Sequence, residues 1–309
     1  MTERNHAIVC TIDFSPFSAL VAAHGIALAR RAGARLYLVH AVHHPQDGVH
    51  PTALFERGGD LAHHTDEANQ RLSDLMAASD VHWDPVIRFG DPVEQTVAAV
   101  KQLPACLVIS ASHGVSGFRR FFIGTVVERL ARALTCPMLV VKPDAQGADA
   151  SAGNFMSAVV TCDRRGHWKQ LAPLLSLLQP DQSSRLHLVH AMEAPLVNTE
   201  GKDNGVSYDQ MQHAHQGRLS RRLNEQASLL FGHAGQVAVT VEPGVPQEMV
   251  LAIARSDQAD VITVGARPTG KMGRWIAGST TETLLRHSPC SVLTVPESVK
   301  GRRKPRGHR

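Results

Sequence analysis

The sequence predicts an α/β protein built as two tandem, open, doubly wound parallel-sheet domains. Three observations carry that expectation. Short apolar runs bounded by turn signals read as buried parallel strands. Longer segments of helical periodicity alternate with them along both halves of the chain. The chain also repeats itself. Gly90, Pro92, Glu94, Ala105, Gly124, Glu128 and Cys136 recur 154 positions later as Gly244, Pro246, Glu248, Ala259, Gly278, Glu282 and Cys290. Upstream the offset is 150, pairing Asp13 with Asp163 and Leu38-Val39-His40-Ala41 with Leu188-Val189-His190-Ala191. A period of that length is a whole domain rather than a solenoid repeat.

In the first half, residues 7–12 form a strand ending at Asp13. Ser15 is a candidate cap, and Pro16 suits the first turn of a helix that runs to about residue 32, where Gly33 ends it. Residues 35–42 are a second strand, and 43–59, rich in His, Pro and Gly, a loop. A helix over 60–79 buries Leu61, Ala68, Leu72, Leu75 and Met76, and residues 81–88 are a third strand. Gly90-Asp91-Pro92 opens a helix over about 93–102, followed by an apolar strand over 106–110. Thr125 then caps a helix carrying Val126, Val127, Leu130, Ala131 and Leu134 at helical spacing, with Glu128 placed as in a capping box. Cys136-Pro137 stops it, and residues 138–141 are the last strand.

Residues 144–154 are small and polar, a linker by composition. The expected domains are 1–147 and 148–309. The second half repeats the order, with strands over 155–162, 185–192, 236–242, 260–264 and 291–295. Helices are expected over 168–178 and about 208–230, after Gly244-Val245-Pro246, and before the last strand.

At 309 residues, each half can bury its own core. A chain 43% hydrophobic and 19% charged, with no long apolar stretch, is expected to be soluble. An N-terminus without signal-peptide organisation points to the cytoplasm. The net charge of +4 is local, because Lys300, Arg302, Arg303, Lys304, Arg306 and Arg309 crowd the last ten residues. That tail, from about 298 to 309, can touch nucleic acid or anionic lipid, or remain solvated. With aromatics at 5%, the body is a poor base-stacking platform. Five widely spaced cysteines show no zinc pattern, and Cys136 and Cys290 read as small apolar packing before a strand. The adjacent pairs His43/His44 and His63/His64 point apart on a regular element, so no metal site is expected.

The residues that carry chemistry sit at strand ends. Asp13 follows the first strand, where open parallel sheets bind ligands. Its carboxylate can accept bonds from a ribose or base, or simply brace the turn. After Ser110 come small residues, Ala111, Ser112, Gly114, Ser116 and Gly117, then Gly124 and Thr125 at a helix start. Such a start attracts anions, although Gly-rich loops also serve packing alone. Neither GxxxxGK[ST] nor GxGxxG occurs.

This pattern resembles the universal stress protein family, which carries G-x2-G-x9-G-[S/T] between a buried strand and its last helix. The first copy reads Ala111-x2-Gly114-x9-Gly124-Thr125, the second Gly265-x2-Pro268-x9-Gly278-Ser279. Each departs at one glycine. The resemblance covers nearly the whole chain and implies an adenine nucleotide alpha hydrolase-like fold. It also implies that the halves pair through their last strands about a pseudo-twofold axis, with a further homodimer open. By resemblance the nucleotide contacts are Asp13, the Val39-His40-Ala41 strand end, Ser110, Ala111, Gly114, Gly124, Thr125 and Val126. Asp163, Gly265, Gly278 and Ser279 form a weaker second set, because Pro268 has no N–H to donate. Arg119 and Arg120 can meet phosphates from the same loop.

The expected function is a cytoplasmic stress-response protein that binds ATP or a related nucleotide in its N-terminal half and acts as a regulatory or interaction module. Two alternatives stand beside it. One is a nucleotide-free scaffold for a protein or another small ligand. The other is a weak ATP hydrolase, for which no paired base and nucleophile is evident, His113 being the one loop residue suited to such work.

Overall fold

A computed structural model describes residues 7–42, 58–112, 125–142, 152–163, 172–178, 183–192, 208–231, 236–266 and 279–296. The first half runs β1 (Ala7–Thr11), α1 (Ser18–Ala32), β2 (Arg35–Val42), α2 (Gly58–Leu75), β3 (Trp83–Phe89), α3 (Pro92–Gln102), β4 (Ala105–Ala111), α4 (Thr125–Ala133) and β5 (Met138–Val141). The second repeats it as β6 (Ser157–Thr161), α5 (Ala172–Leu178), β7 (Arg185–Met192), α6 (Tyr208–Phe231), β8 (Gln236–Pro243), α7 (Pro246–Ser256), β9 (Val261–Ala266), α8 (Ser279–His287) and β10 (Ser291–Pro296).

All ten strands belong to one sheet, ordered β3-β2-β1-β4-β5-β10-β9-β6-β7-β8. Every pairing is parallel except β5 with β10, where the halves meet antiparallel. Strand alternation divides the core between the two faces. Ile8, Cys10, Leu36, Leu38, Leu107 and Ile109 pack with α1 and α2 residues such as Leu28 and Leu72. Val9, Val39 and Val108 pack on the opposite face with Val93 and Val100 of α3 and Leu130 of α4. Both cores continue into the second half without a break.

At the joint, Leu139 faces Leu293, with Val140 opposite Val292 and Met138 opposite Thr294. Leu139 and Leu293 are 154 positions apart, so the pseudo-twofold axis passes between equivalent residues. Ion pairs obey the same symmetry. Arg132 reaches Glu282 at 3.2 Å, and Arg286 reaches Glu128 at 2.8 Å. A third tie breaks the symmetry. Lys142 donates from Nζ to the Ser288 carbonyl at 2.8 Å and from its backbone N–H to Ser291 Oγ at 3.2 Å, and its counterpart is Pro296. On the other face Arg31 of α1 donates to the Gly153 and Leu177 carbonyls. Gly153 has φ +75°, and a Cβ there would stand 2.6 Å from the Ala27 methyl, so the chain can cross α1 only as glycine.

Several boundaries differ from expectation for local reasons. Helix α1 is regular from Ser18; the Pro16 turn lies just before it, with Phe14 at φ +55° and Ser15 Oγ accepting from the Phe17 N–H. Helix α2 gives way after Leu75 to a turn in which the Ser79 N–H bonds the Met76 carbonyl, and β3 begins two residues later than predicted. Helix α4 begins at Thr125 itself, so the cap position falls on residue 124, outside the described residues. Glu128 is turned to Arg286 across the joint.

The Gly-x-Pro starts of α3 and α7 differ in strength. Asp91 Oδ1 accepts from the N–H groups of Val93 and Glu94, both at 3.0 Å, and Arg129 of α4 grips the carboxylate at 2.8 and 3.0 Å. In the second half Val245 and Thr283 stand at these positions, and α7 has no side-chain cap. Asp91→Ala is therefore expected to destabilise the protein by about 1–2 kcal/mol, and Val245→Asp to stabilise it by up to about 1 kcal/mol; urea midpoints check both. Burial lowers the Lys142 pKa to about 8. An unfolded lysine titrates near about 10.4, so between the two values the native state binds fewer protons and stability rises with pH. Compared with Lys142→Met, the wild type is expected to gain stability from about pH 8 to about pH 10, read from paired urea titrations.

Candidate functional site at the strand ends

Strand β1 lies between β2 and β4, and the chain leaves β1 toward β3 on one side and returns to β5 on the other. That reversal is the topological switch point of the first half, the place at the carboxyl ends of β1 and β4 where open parallel sheets bind ligands. The β6/β9 pair repeats the arrangement in the second half.

Asp13 follows β1 at the switch point, exposed to solvent. Its Oδ1 accepts from the Ser15 N–H at 2.9 Å and the Ser18 hydroxyl at 3.2 Å. The brace thus orients the carboxylate while leaving it exposed. Beside it, the Phe14 ring packs 4.4 Å from the His40 ring, and the Arg71 guanidinium of α2 sits 4.0 Å over the Phe14 ring. Sequence reasoning missed this stack, which joins a turn, a strand and a helix with no common local pattern.

The histidine of the repeated Leu-Val-His-Ala run has a defined task. His40 Nδ1 donates to the Ile12 carbonyl at 2.7 Å, and His190 Nδ1 to the Cys162 carbonyl at 2.7 Å. In each half the imidazole thus ties β2 or β7 to the residue just before the strand-end aspartate. Burial, chiefly, lowers the His40 pKa, and the Arg71 charge adds to it, against the opposing pull of the Ile12 carbonyl and Asp13. His40 is therefore held neutral, with its proton on Nδ1. The recurrence of His40 and His190 at the 150-residue offset was the available signal for this brace.

Val39 is inside the sheet, and its carbonyl accepts from the Ile12 N–H at 2.9 Å. His40 and Ala41 extend from there to the strand end. Ser110 is buried in β4 and receives the Thr11 hydroxyl at 2.9 Å. Ala111 closes β4 opposite Val141 and is not among the residues of positive φ. Its counterpart Gly265 has open space where a Cβ would be. Alanine for the leading glycine is thus sterically free. Ser112 is buried, with its N–H on the Val141 carbonyl. Thr125 and Ser279 are the first residues of α4 and α8, and Val126 packs half-buried against the α3/α4 core. Asp163 follows β6 half-buried, as Asp13 follows β1. His113, Gly114, Arg119, Arg120, Gly124, Pro268 and Gly278 lie outside the described residues.

The repeated switch point, the strand-end aspartates and the paired histidine braces describe one unit used twice. A sequence model of the universal stress protein family matches residues 4–142 and again 174–296. The chain belongs to the universal stress protein family. A universal stress protein of Thermus aquaticus is 28% identical over 143 residues, 46% of this chain and 98% of that protein. One from Methanocaldococcus jannaschii is 27% identical over 137 residues, 44% of this chain and 81% of its own length. The crystal structure of a universal stress protein from Archaeoglobus fulgidus has the same fold. It superposes with a TM-score of 0.66 at 17% identity, over 95% of this chain and 99% of that one. This universal stress protein is thus a tandem member, with two family units in one chain. Among its described residues, no helix is long and apolar enough to cross a membrane, and no three His, Cys, Asp or Glu side chains gather as a metal site would need.

The histidine braces can be weighed by removal. His190 is the more deeply buried, so His190→Phe, which strands the Cys162 carbonyl, is expected to cost about 1–3 kcal/mol. At the more open His40, water can replace the lost donor, and His40→Phe is expected to cost less. Thermal or urea unfolding of the two variants tests the order.

Proposed function

We propose that this universal stress protein binds ATP or a related adenine nucleotide in the crevice between β1 and β4 and acts in the cytoplasm as a stress-response regulatory module. One observation carries the reading: an exposed, braced carboxylate, Asp13, stands at the switch point, and α4 is the next element after β4. A nucleotide spans those two features. Its ribose hydroxyls are donors suited to Asp13. Its phosphates suit the positive dipole end of α4 at Thr125. The base lies toward His40 and Ala41. The second crevice carries Asp163, Gly265, Gly278 and Ser279, but Pro268 withdraws a backbone donor, so the first half is the stronger site. Domains 1–147 and 148–309 are then one working and one weakened copy, held together by β5 and β10.

Calorimetric titration of ATP into the full chain tests this. The expected result is saturable binding near one site per chain, weakened about tenfold or more when Gly124→Ala and Thr125→Val are combined. Two equivalent sites would mean that the second crevice tolerates Pro268. No binding at millimolar ATP would leave a nucleotide-free scaffold.

A further inference from the structure

The two halves differ in chemistry where the β7–β8 end of the sheet meets the C-terminus of α7. In the first half Tyr37, Val86 and Leu103 pack against one apolar core. Their counterparts by the 150 and 154 offsets are His187, Thr240 and Asp257. These three form one hydrogen-bonded chain. His187 Nδ1 lies 2.6 Å from Asp257 Oδ2, and His187 Nε2 lies 2.8 Å from Thr240 Oγ1. A carboxylate only accepts, so Nδ1 donates to Asp257, and in the neutral imidazole this tautomer turns the Nε2 lone pair to the threonine hydroxyl. The order is acid, imidazole, hydroxyl, at the separations that define a nucleophile, its base and the group that orients the base.

The surroundings fix the chain and leave it open. Asp257 ends α7 with its N–H on the Ile253 carbonyl at 2.8 Å, and its own carbonyl accepts from Arg185 at 3.2 Å. The His187 and Asp257 side chains are 18% and 32% exposed. Thr240 lies on β8, the edge strand, on the face where Gln236, Ala238 and Glu242 are exposed. Gln236 and Gly244 donate their N–H groups inward to Ser184 and Met192. The alternation of a parallel ladder therefore points the N–H of Val241, next after Thr240, off the sheet edge. An apolar trio satisfies this position in the first half, so the fold itself does not demand a polar one, which carries a desolvation cost.

We propose that Thr240 is a nucleophile activated by His187 and oriented through Asp257, and that this face is an acyl-transfer site for small, unhindered carboxylic esters. Thr240 Oγ1 attacks the acyl carbon as its proton passes to His187 Nε2, with the Val241 N–H facing the developing oxyanion. The adduct collapses, the ester C–O bond breaks, and the departing alcohol takes the proton from Nε2. Water, deprotonated by the same nitrogen, then attacks the acyl-threonine, releasing the carboxylic acid and restoring the hydroxyl.

The test uses the full chain and p-nitrophenyl acetate near neutral pH, following p-nitrophenol release and mapping acetyl groups by mass spectrometry of the quenched, digested protein. The expected result is acetyl on Thr240 and release that falls about 100-fold or more in Thr240→Val and His187→Phe. Thr240→Ser, which keeps the hydroxyl, is expected to retain both signals. Acetyl confined to lysines or the N-terminus, or release unchanged in Thr240→Val, would overturn the proposal. The mapping on unaltered protein decides the matter even if a variant fails to fold.

Discussion

The antiparallel contact between β5 and β10 is the constraint on which the rest depends. Without it each half would end in an unpaired strand, buried on both faces yet open along one edge, a template for pairing with other chains. The joint converts two five-stranded sheets into one of ten and lets both cores run through it. The paired arginines and glutamates above the joint contribute modestly, because exposed ion pairs are weak. Their value is directional: Arg132 and Arg286 each find the other half's glutamate only when Leu139 faces Leu293. Slipping the register by one residue would turn every β5 side chain to the wrong face.

Much of this was legible in the sequence. The order of strands and helices follows from apolar runs separated by helical periods, and Asp13 and Asp163 announced themselves as strand ends. What escaped was whatever depends on two distant segments meeting. Ser15 looked like a helix cap because its neighbour is proline, but the Asp13 carboxylate and the Phe14 backbone draw the chain into a turn first. His40 sat in a recognised run, yet its brace to Ile12 appears only once β2 lies beside β1. His187, Thr240 and Asp257 are 53 and 70 residues apart and share no local motif. Only comparison with Tyr37, Val86 and Leu103 shows that this polar set replaces an apolar one.

The halves have kept their framework and diverged in their fittings. The framework is what both copies need: paired strands, histidine braces and the glycine at each third strand's end. The fittings differ because each half supports the other. The first copy holds the capped helix start gripped by Arg129, and its sequence has Gly114 where the second has Pro268. The second has a bare cap at Val245 and a polar chain on its outer face.

Joining the two units through one polypeptide has a further consequence. A pair assembled from separate chains falls apart on dilution and can exchange subunits. Here each half meets the other at an effective concentration set by the short connection around Gly153, whatever the amount of protein present. The ratio of the two units is thus locked at one to one at every concentration of the protein.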